Sequence, residues 1–520
     1  MKHLTRRAFC ESIAAAATAL SCGSSTAGVQ EKNAVGSSLD SVAGLTLTDA
    51  AAKVRSGQLT STELTKACLD RIEIYNPKLD AFITVLNDCA LRQAAERDAE
   101  QQAGRARGPL HGVPIALKDN IDTAGVRTTA GSQVFDDRVP DDDAEVTRRL
   151  AAAGAIVIGK ANLDEFATGV SYFGSVRNPW ALDRDPSGSS SGCAAALAAN
   201  LAFGAIGTDT GGSIRAPAAY CGVVGLKPTY GLVSMRGIVP LIPTMDHCGP
   251  MARTVTDAAM LLNALAGYDR LDVTSVDKPR EDYVALLDQP VSKFRLGVPR
   301  APFFDHLDRD TASCVDAAIH ELSKLCANVC DTTLPPTADY ESTLVAEMYA
   351  YHEELFANQE ARYMVATRQK LKDIRDGLNE GDRSCSSRLS SYIRRRSSLE
   401  LLRRRIDESF RELDLVVLPT MRVSPMRLEY VIEYFEHPST HNPDDFNWDN
   451  CEAFNILGIP SISIPCGFTH DGLPVGLTIA GPRFAEGRIL ALAHAYELST
   501  NWRRRRPPLA PNTQVPDVRR

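Results

Sequence analysis

Apolar positions along the chain follow one period and then another. From Leu45 to about Ala103 they recur at helical spacing. T-L-T-D-A-A-A-K-V starts at a capping threonine, and S-T-E-L-T-K-A-C-L-D-R-I-E places Leu64, Ala67, Cys68 and Ile72 on one stripe. Short apolar runs then take over. G-V-P-I-A-L-K-D-N, residues 112–120, reads as a buried strand ending in a lysine. D-A-E-V-T-R-R-L-A-A-A-G-A-I-V-I-G-K, residues 143–160, reads as a helix, a glycine stop and a second strand. C-A-A-A-L-A-A-N-L-A from Cys193 is a small-residue helix, and F-G-A-I-G-T-D-T from Phe203 a further strand. Later strands are expected at 295–299, 413–419, 461–465 and 475–480. This alternation predicts an α/β fold, a sheet with helices on both faces. Between Asp305 and Asp414 the pattern turns helical and charged, which marks an insertion. Its R-R-R runs at 394–396 and 403–405 interleave with S-S-L-E-L-L and read as a solvated helix face.

Length permits two to four domains, or one large α/β domain with insertions, for a chain of 520 residues. The composition, 44% hydrophobic and 23% charged, is that of a soluble globular protein. A net charge of -8 argues against a nucleic-acid binder, which needs a concentrated positive surface. Small molecules or peptides are the expected partners.

The N-terminus changes where the protein is expected to work. Arg6 and Arg7, Phe9, a weak apolar run from Ile13 to Leu20 and then small residues read as a twin-arginine export signal over residues 1–27. Cleavage after Ala27 is expected, with Cys22 as an alternative lipid-bearing residue that would tether the protein to a membrane. Residues 28–44 read as a linker, 45–505 as the folded domain and 506–520 as a tail. An exported protein, periplasmic or at the cell envelope, follows. The eleven cysteines beyond the signal are odd in number and scattered, so they are not a disulfide framework. Cys326 and Cys330 have helical metal-ligand spacing, but no second pair completes a tetrahedral site; His437 and His441 are separated by P-S-T, which disfavours a helix. No metal site is expected.

Two glycine-and-serine clusters carry the candidate chemistry: P-S-G-S-S-S-G at 186–192 and G-T-D-T-G-G-S-I-R at 207–215. A serine hydroxyl needs a base within reach and donors aimed at the oxyanion formed when it attacks a carbonyl. Paired glycines ahead of Ser213 let the backbone turn and converge several N–H groups. On spacing alone four readings stay open. The clusters could be turns. A phosphate cradle lacks the lysine-plus-serine ending of a P-loop. A G-x-S-x-G elbow would nominate Ser190 with a distant histidine, though no single histidine has an evident claim. The fourth is one serine hydrolase site.

The full set of motifs resembles the amidase signature family of serine hydrolases. The matching stretches are H-G-V-P-I-A-L-K-D-N-I, G-K-A-N-L-D-E-F-A, F-G-S-V-R-N-P-W, P-S-G-S-S-S-G-C-A-A-A-L-A, G-T-D-T-G-G-S-I-R-A-P-A-A-Y-C-G-V-V-G-L-K-P-T-Y-G and N-I-L-G-I-P-S-I-S-I-P-C-G-F. They run from about residue 45 to 505, densest at 111–255. The resemblance implies a single large domain around a central mixed β-sheet flanked by helices, and a Ser-Ser-Lys triad. Ser213 would attack, Ser189 would relay protons from a cis peptide, and Lys118 would be the terminal base. Oxyanion donors map to the backbone N–H groups of Thr210, Gly211, Gly212 and Ser213. Ser190 matches a residue that helps hold the lysine, and Asp209 and Arg215 match positions that brace the nucleophile loop. A free lysine titrates near about 10.4, so a base working near neutrality must be lowered by about three, roughly 4 kcal/mol. Burial among hydroxyls, from Ser189 and Ser190, would do it. Ser187 and Ser191 stand where the family commonly has glycine, and Cys193 where it has a small residue, small swaps that remove no catalytic group. The resemblance implies an amide hydrolase without metal or organic cofactor, acting on a small-molecule or peptide amide. The alternatives are a carbamate or ester hydrolase on the same triad, a glutamine-cleaving amidotransferase component that supplies ammonia for tRNA-dependent amidation, and a binding protein that kept the fold. The loop Phe166 to Tyr172 and the segment Asp445 to Asn455 are expected to shape the acyl pocket.

Overall fold

The computed structural model describes residues 41–337, 340–379, 385–437 and 450–518. The export segment, Cys22, most of the linker, His441 and residues 445–449 lie outside them. The described strands are β1 (Phe82–Val85), β2 (Pro114–Lys118), β3 (Ile156–Ala161), β4 (Gly204–Asp209), β5 (Val224–Lys227), β6 (His247–Ala252), β7 (Arg295–Pro299), β8 (Asn328–Thr332), β9 (Leu415–Pro419), β10 (Ser461–Phe468) and β11 (Pro474–Ala480). All eleven join one mixed sheet in the order β1-β3-β2-β4-β6-β5-β10-β11-β9-β7-β8. β2 runs parallel to both β3 and β4, and every residue of the three strands is buried. Strands covered on both faces need no alternation, which is why they read as continuous apolar runs.

Helices cover that sheet where the 3.6-residue stripe predicts them. Ser61–Leu79 starts with a capping box between Thr60 and Glu63, and buries Leu64, Cys68, Ile72 and Leu79. Ser191–Ala198, mostly alanine, glycine and cysteine, is buried throughout. Small side chains let its backbone lie close to β2 and β4, with Ala194 and Leu197 in the same apolar core as Ile115, Leu117 and Ile206.

Residues 305–414 hold four long helices, Arg309–Leu325, Glu341–Gln359, Val365–Asn379 and Cys385–Arg405, but also β8. β8 is the exposed edge strand beside β7, and N-V-C-D-T offers little apolar pattern to announce it. β1, β5 and β6 also fall outside the sequence expectation. Two are four residues long, and H-C-G-P-M-A of β6 combines residues of low strand propensity that only its buried central position explains. The helical stretch has its own core of Leu344, Met348, Phe356, Tyr363, Leu371 and Leu399, which reaches the sheet side through Phe166, Met245 and Ile456. The arginine run at 403–405 is not uniformly solvated. Arg403 is 4% exposed; it donates to the carbonyls of Ile456, Thr244 and Asn455 and lies 4.4 Å over the Tyr230 ring.

Candidate active site

Register between two parallel strands sets the position of the lysine. Ile115 pairs with Gly204 and Leu117 with Ile206, so Lys118, last in β2, reaches the carboxyl end of β4 beside Thr208. Crevices outside the carboxyl ends of adjacent strands are where α/β sheets place ligands. Lys118 is 0% exposed. Its Nζ donates to Ser189 Oγ at 2.7 Å, Thr208 Oγ1 at 2.9 Å and the Thr208 carbonyl at 3.5 Å. Two hydroxyls and a carbonyl solvate the amine without adding a carboxylate contact. Burial pushes its pKa down to about 8, against the more distant acidic groups of Cys193, Asp164, Asp209 and Asp246.

Ser189 follows a cis peptide bond from Gly188. Gly188 makes room for a carboxylate: a Cβ there would come within 2.0 Å of Asp164 Oδ2, so any other residue would displace the Asp164 side chain. Ser190 differs from its expected role. Its hydroxyl donates to the Thr208 carbonyl at 3.1 Å and accepts from the Thr208 amide at 3.3 Å, so it serves β4 rather than the amine. Thr208 is the second hydroxyl on the lysine; the sequence pattern places it in a strand and carries no sign of that role. Ser190 N also donates to the Ser213 carbonyl at 3.1 Å, tying the two clusters together.

Thr210, Gly211, Gly212 and Ser213 leave β4 in a turn that needs glycine, because Gly212 has φ 143°. Among the described residues the amides of Gly211, Gly212 and Ser213 donate to no protein acceptor. Asp209 holds the far side of the turn, accepting from Ile214 N at 3.0 Å, Arg215 Nε at 3.0 Å and Arg215 Nη2 at 2.8 Å. Burial raises the Asp209 pKa, but the charge and hydrogen bonds of Arg215, with Lys227 and Asn455 behind, outweigh it and keep the carboxylate ionised. Asn455 closes this clamp: Nδ2 donates to the Asp209 carbonyl at 2.9 Å and to Asp209 Oδ1 at 2.8 Å, and its Oδ1 accepts from Arg215 at 2.6 Å. Thr210 Oγ1 donates to Asp246 Oδ1 at 2.6 Å. Asn455 stands first in the N-I-L-G-I-P motif, and Asp246 had no sequence signal beyond its type.

Ser189, Gly211, Gly212 and Ser213 line one cavity of about 210 Å³. Asp164, Asp185 and the loop from Ala167 to Ser171 line it too, and Leu428, Val431, Ile432 and Phe435 form an apolar wall. No lysine, arginine or histidine is among the described lining residues. Of the loop expected to shape the pocket, Phe166 turns into the core of the helical stretch and Tyr172 lines an adjoining groove. The wall helix, Leu428–Glu436, carries no sequence signal that would place it at the site.

A family model described as Amidase matches residues 63–490. Among curated proteins, the glutamyl-tRNA(Gln) amidotransferase A subunit of Carboxydothermus hydrogenoformans is 38% identical over 487 residues, 88% of this chain and 97% of that protein. Among solved structures, the peptide amidase of Stenotrophomonas maltophilia is 37% identical with a TM-score of 0.73, covering 89% of this chain and 98% of that one. The glutamyl-tRNA(Gln) amidotransferase A subunit of Thermotoga maritima is 30% identical with a TM-score of 0.68, over 88% and 95%.

Proposed function

Because this chain belongs to the amidase family, we propose that it hydrolyses the C–N bond of a carboxamide through an acyl-enzyme on Ser213. The observation that carries the reading is the 2.7 Å hydrogen bond from buried Lys118 to Ser189 at the cavity that also holds Ser213 and its free amides. With Lys118 neutral, Ser213 Oγ attacks the carbonyl carbon while its proton passes to Ser189 and that of Ser189 to Lys118. The amides of Gly211, Gly212 and Ser213 meet the oxyanion. The proton returns through Ser189 to the departing nitrogen, which leaves as ammonia or an amine. Water then repeats the relay on the ester and releases the acid. A terminal carboxamide, with ammonia as leaving group, suits the small cavity.

A second reading is favoured by the curated relatives: an amidotransferase component that releases ammonia from glutamine for tRNA-dependent amidation. It uses the same steps. Against it, the α-carboxylate of glutamine would meet no cation among the described lining residues. We also propose that residues 1–27 direct export, which an enzyme working on tRNA would not need. Fractionation of tagged protein separates the two locations.

The test is labelling with a fluorophosphonate and ammonia release from a panel of aliphatic, aryl and peptide amides and glutamine. Labelling of Ser213 and its loss in Ser213→Ala are expected. Full labelling of Ser213→Ala overturns the nucleophile assignment, and glutamine as the sole substrate replaces the first reading by the second.

A further inference from the structure

Beyond the reaction, the cavity contains two side chains the proposed steps leave idle. Asp164 follows β3 in the D-E-F stretch, and Asp185 stands just ahead of Pro186 in the first serine cluster. Both line the cavity that holds Ser213. Asp185 is 9% exposed. Among the described residues the nearby Ser187 backbone amide is the only polar hydrogen acting on its carboxylate, which leaves most of its acceptor capacity open. Asp164 packs against the Cα of Gly188 and has no hydrogen-bonded partner for its carboxylate among the described residues.

Two under-satisfied carboxyls, Asp185 buried and Asp164 partly exposed, face one half-open cavity, where a group that pairs with both is favoured. Burial raises both pKa values, that of Asp185 to about 7 with the charge of Asp164 adding to it, while Lys118 opposes the shift at Asp164. A cation entering the cavity would relieve both groups together. A bare metal ion is a poor candidate, since no third His, Cys, Asp or Glu joins a ligand cluster among the described residues. An organic ammonium fits the whole lining better: its charge faces Asp164 and Asp185, and its carbon chain faces Leu428, Val431, Ile432 and Phe435.

We propose that Asp164 and Asp185 select a carboxamide whose acyl part carries an ammonium group beside an apolar chain, as an α-amino-acid amide does. This rests on the proposed hydrolysis at Ser213, in which ammonia is the leaving group and the charge must therefore sit on the acyl side. The α-ammonium of such an amide is two bonds from the carbonyl carbon. A carbonyl held at Ser213 thus leaves the α-ammonium inside the cavity that Asp164 and Asp185 line. Charge complementarity of this kind separates substrates by their binding rather than by the chemistry at the carbonyl.

Three amides with one isobutyl chain test it on the full-length protein at pH 7: leucinamide, 4-methylpentanamide, which lacks only the amine, and N-acetyl-leucinamide, which keeps the nitrogen without the charge but adds an acetyl group. A kcat/KM for leucinamide above both neutral amides by about tenfold or more is expected, carried by KM. Asp185→Asn and Asp164→Asn should shrink the ratio of leucinamide to 4-methylpentanamide. Because the readout is a ratio, a loss of folded protein that lowers both rates leaves it unchanged. Competitive inhibition of 4-methylpentanamide hydrolysis by isopentylamine checks the same site in the unmutated protein. Equal or better hydrolysis of the neutral amides, or unchanged ratios in both variants, overturns the acid-pair assignment while Ser213-dependent hydrolysis stands. Absence of hydrolysis of every amide, with Ser213 unlabelled, overturns the reaction itself.

Discussion

On one side of the cavity, Lys118, Ser189 and Ser213 stand at the ends of β2 and β4 or in loops bonded directly to them. On the other, Leu428, Val431, Ile432 and Phe435 come from one nine-residue helix, Leu428–Glu436. The first side is held by buried charges and hydrogen bonds between segments far apart in sequence, such as Asn455 to Asp209 and Lys118 to Thr208. The helix is tied at its start, where Leu428 N donates to the Asp183 carbonyl at 2.9 Å and Asp185 N to the Met426 carbonyl at 2.9 Å. Catalytic geometry needs atoms fixed to a fraction of an ångström, whereas an apolar wall needs shape and can be exchanged without disturbing the nucleophile. A division of labour follows, one that single substitutions can break.

The largest effect is expected on the sheet side. Lys118→Met keeps the length of the side chain and removes the base, so kcat should fall by about 10⁴. The sign of the pH dependence follows from the state required. Lys118 must be neutral to accept a proton, and its pKa is lowered to about 8. Activity therefore rises with pH through about 8 and falls below it. Profiles of kcat/KM should show that acid limb in the parent and lose it in Lys118→Met. Retention of the limb would assign it to another group, with Asp164, Asp209, Asp246 and Cys193 the ones facing the lysine.

The catalytic side was also the more legible in the sequence. Lys118, Ser189 and Ser213 lie in motifs whose types and order are dictated by the chemistry, and β2, β3 and β4 read as apolar runs because both faces are covered. What escaped was set by tertiary packing. Thr208 reaches Lys118 only through the pairing of β2 with β4, which no local pattern encodes. Ser190, placed by the resemblance beside the lysine, turns to the Thr208 backbone instead. The helix Leu428–Glu436 reads as any amphipathic helix, and its place opposite Ser213 is set by tertiary contacts, bonds to the 183–185 segment among them, that no local pattern encodes. β6, with Gly and Pro inside it, is a strand only because β4 and β5 flank it.

A middle-sized effect should come from the clamp. Asn455→Ala removes two donated hydrogen bonds from Asp209 and an acceptor from Arg215, both buried and charged. Stability should fall by about 2–3 kcal/mol, less than for loss of either charge, because the Arg215–Asp209 pair survives. Asp209 immediately precedes the turn that carries the free amides, so kcat should drop by about 10- to 100-fold with little change in KM. Chemical denaturation and steady-state kinetics on the same preparation give both numbers. A rise in KM at constant kcat would place Asn455 with the substrate wall and erase the division.

The smallest effect is expected on the wall, and it is the sharpest check. Ile432→Ala trims an apolar contact in a half-buried position, worth about 1–2 kcal/mol of selectivity between amides with bulky and with short acyl chains. KM for the bulky amide should rise and kcat hold. Combined with Asn455→Ala, the two losses in kcat/KM should add to within about 0.5 kcal/mol, as they do for residues without shared partners. Coupling well beyond that would mean that the wall transmits strain to the nucleophile turn. The route it would follow is the 183–190 segment: Leu428 N donates to the Asp183 carbonyl, Asp185 N to the Met426 carbonyl, and Ser190 N to the Ser213 carbonyl. Additivity would instead show that the fold isolates its chemistry from the surface that chooses the substrate.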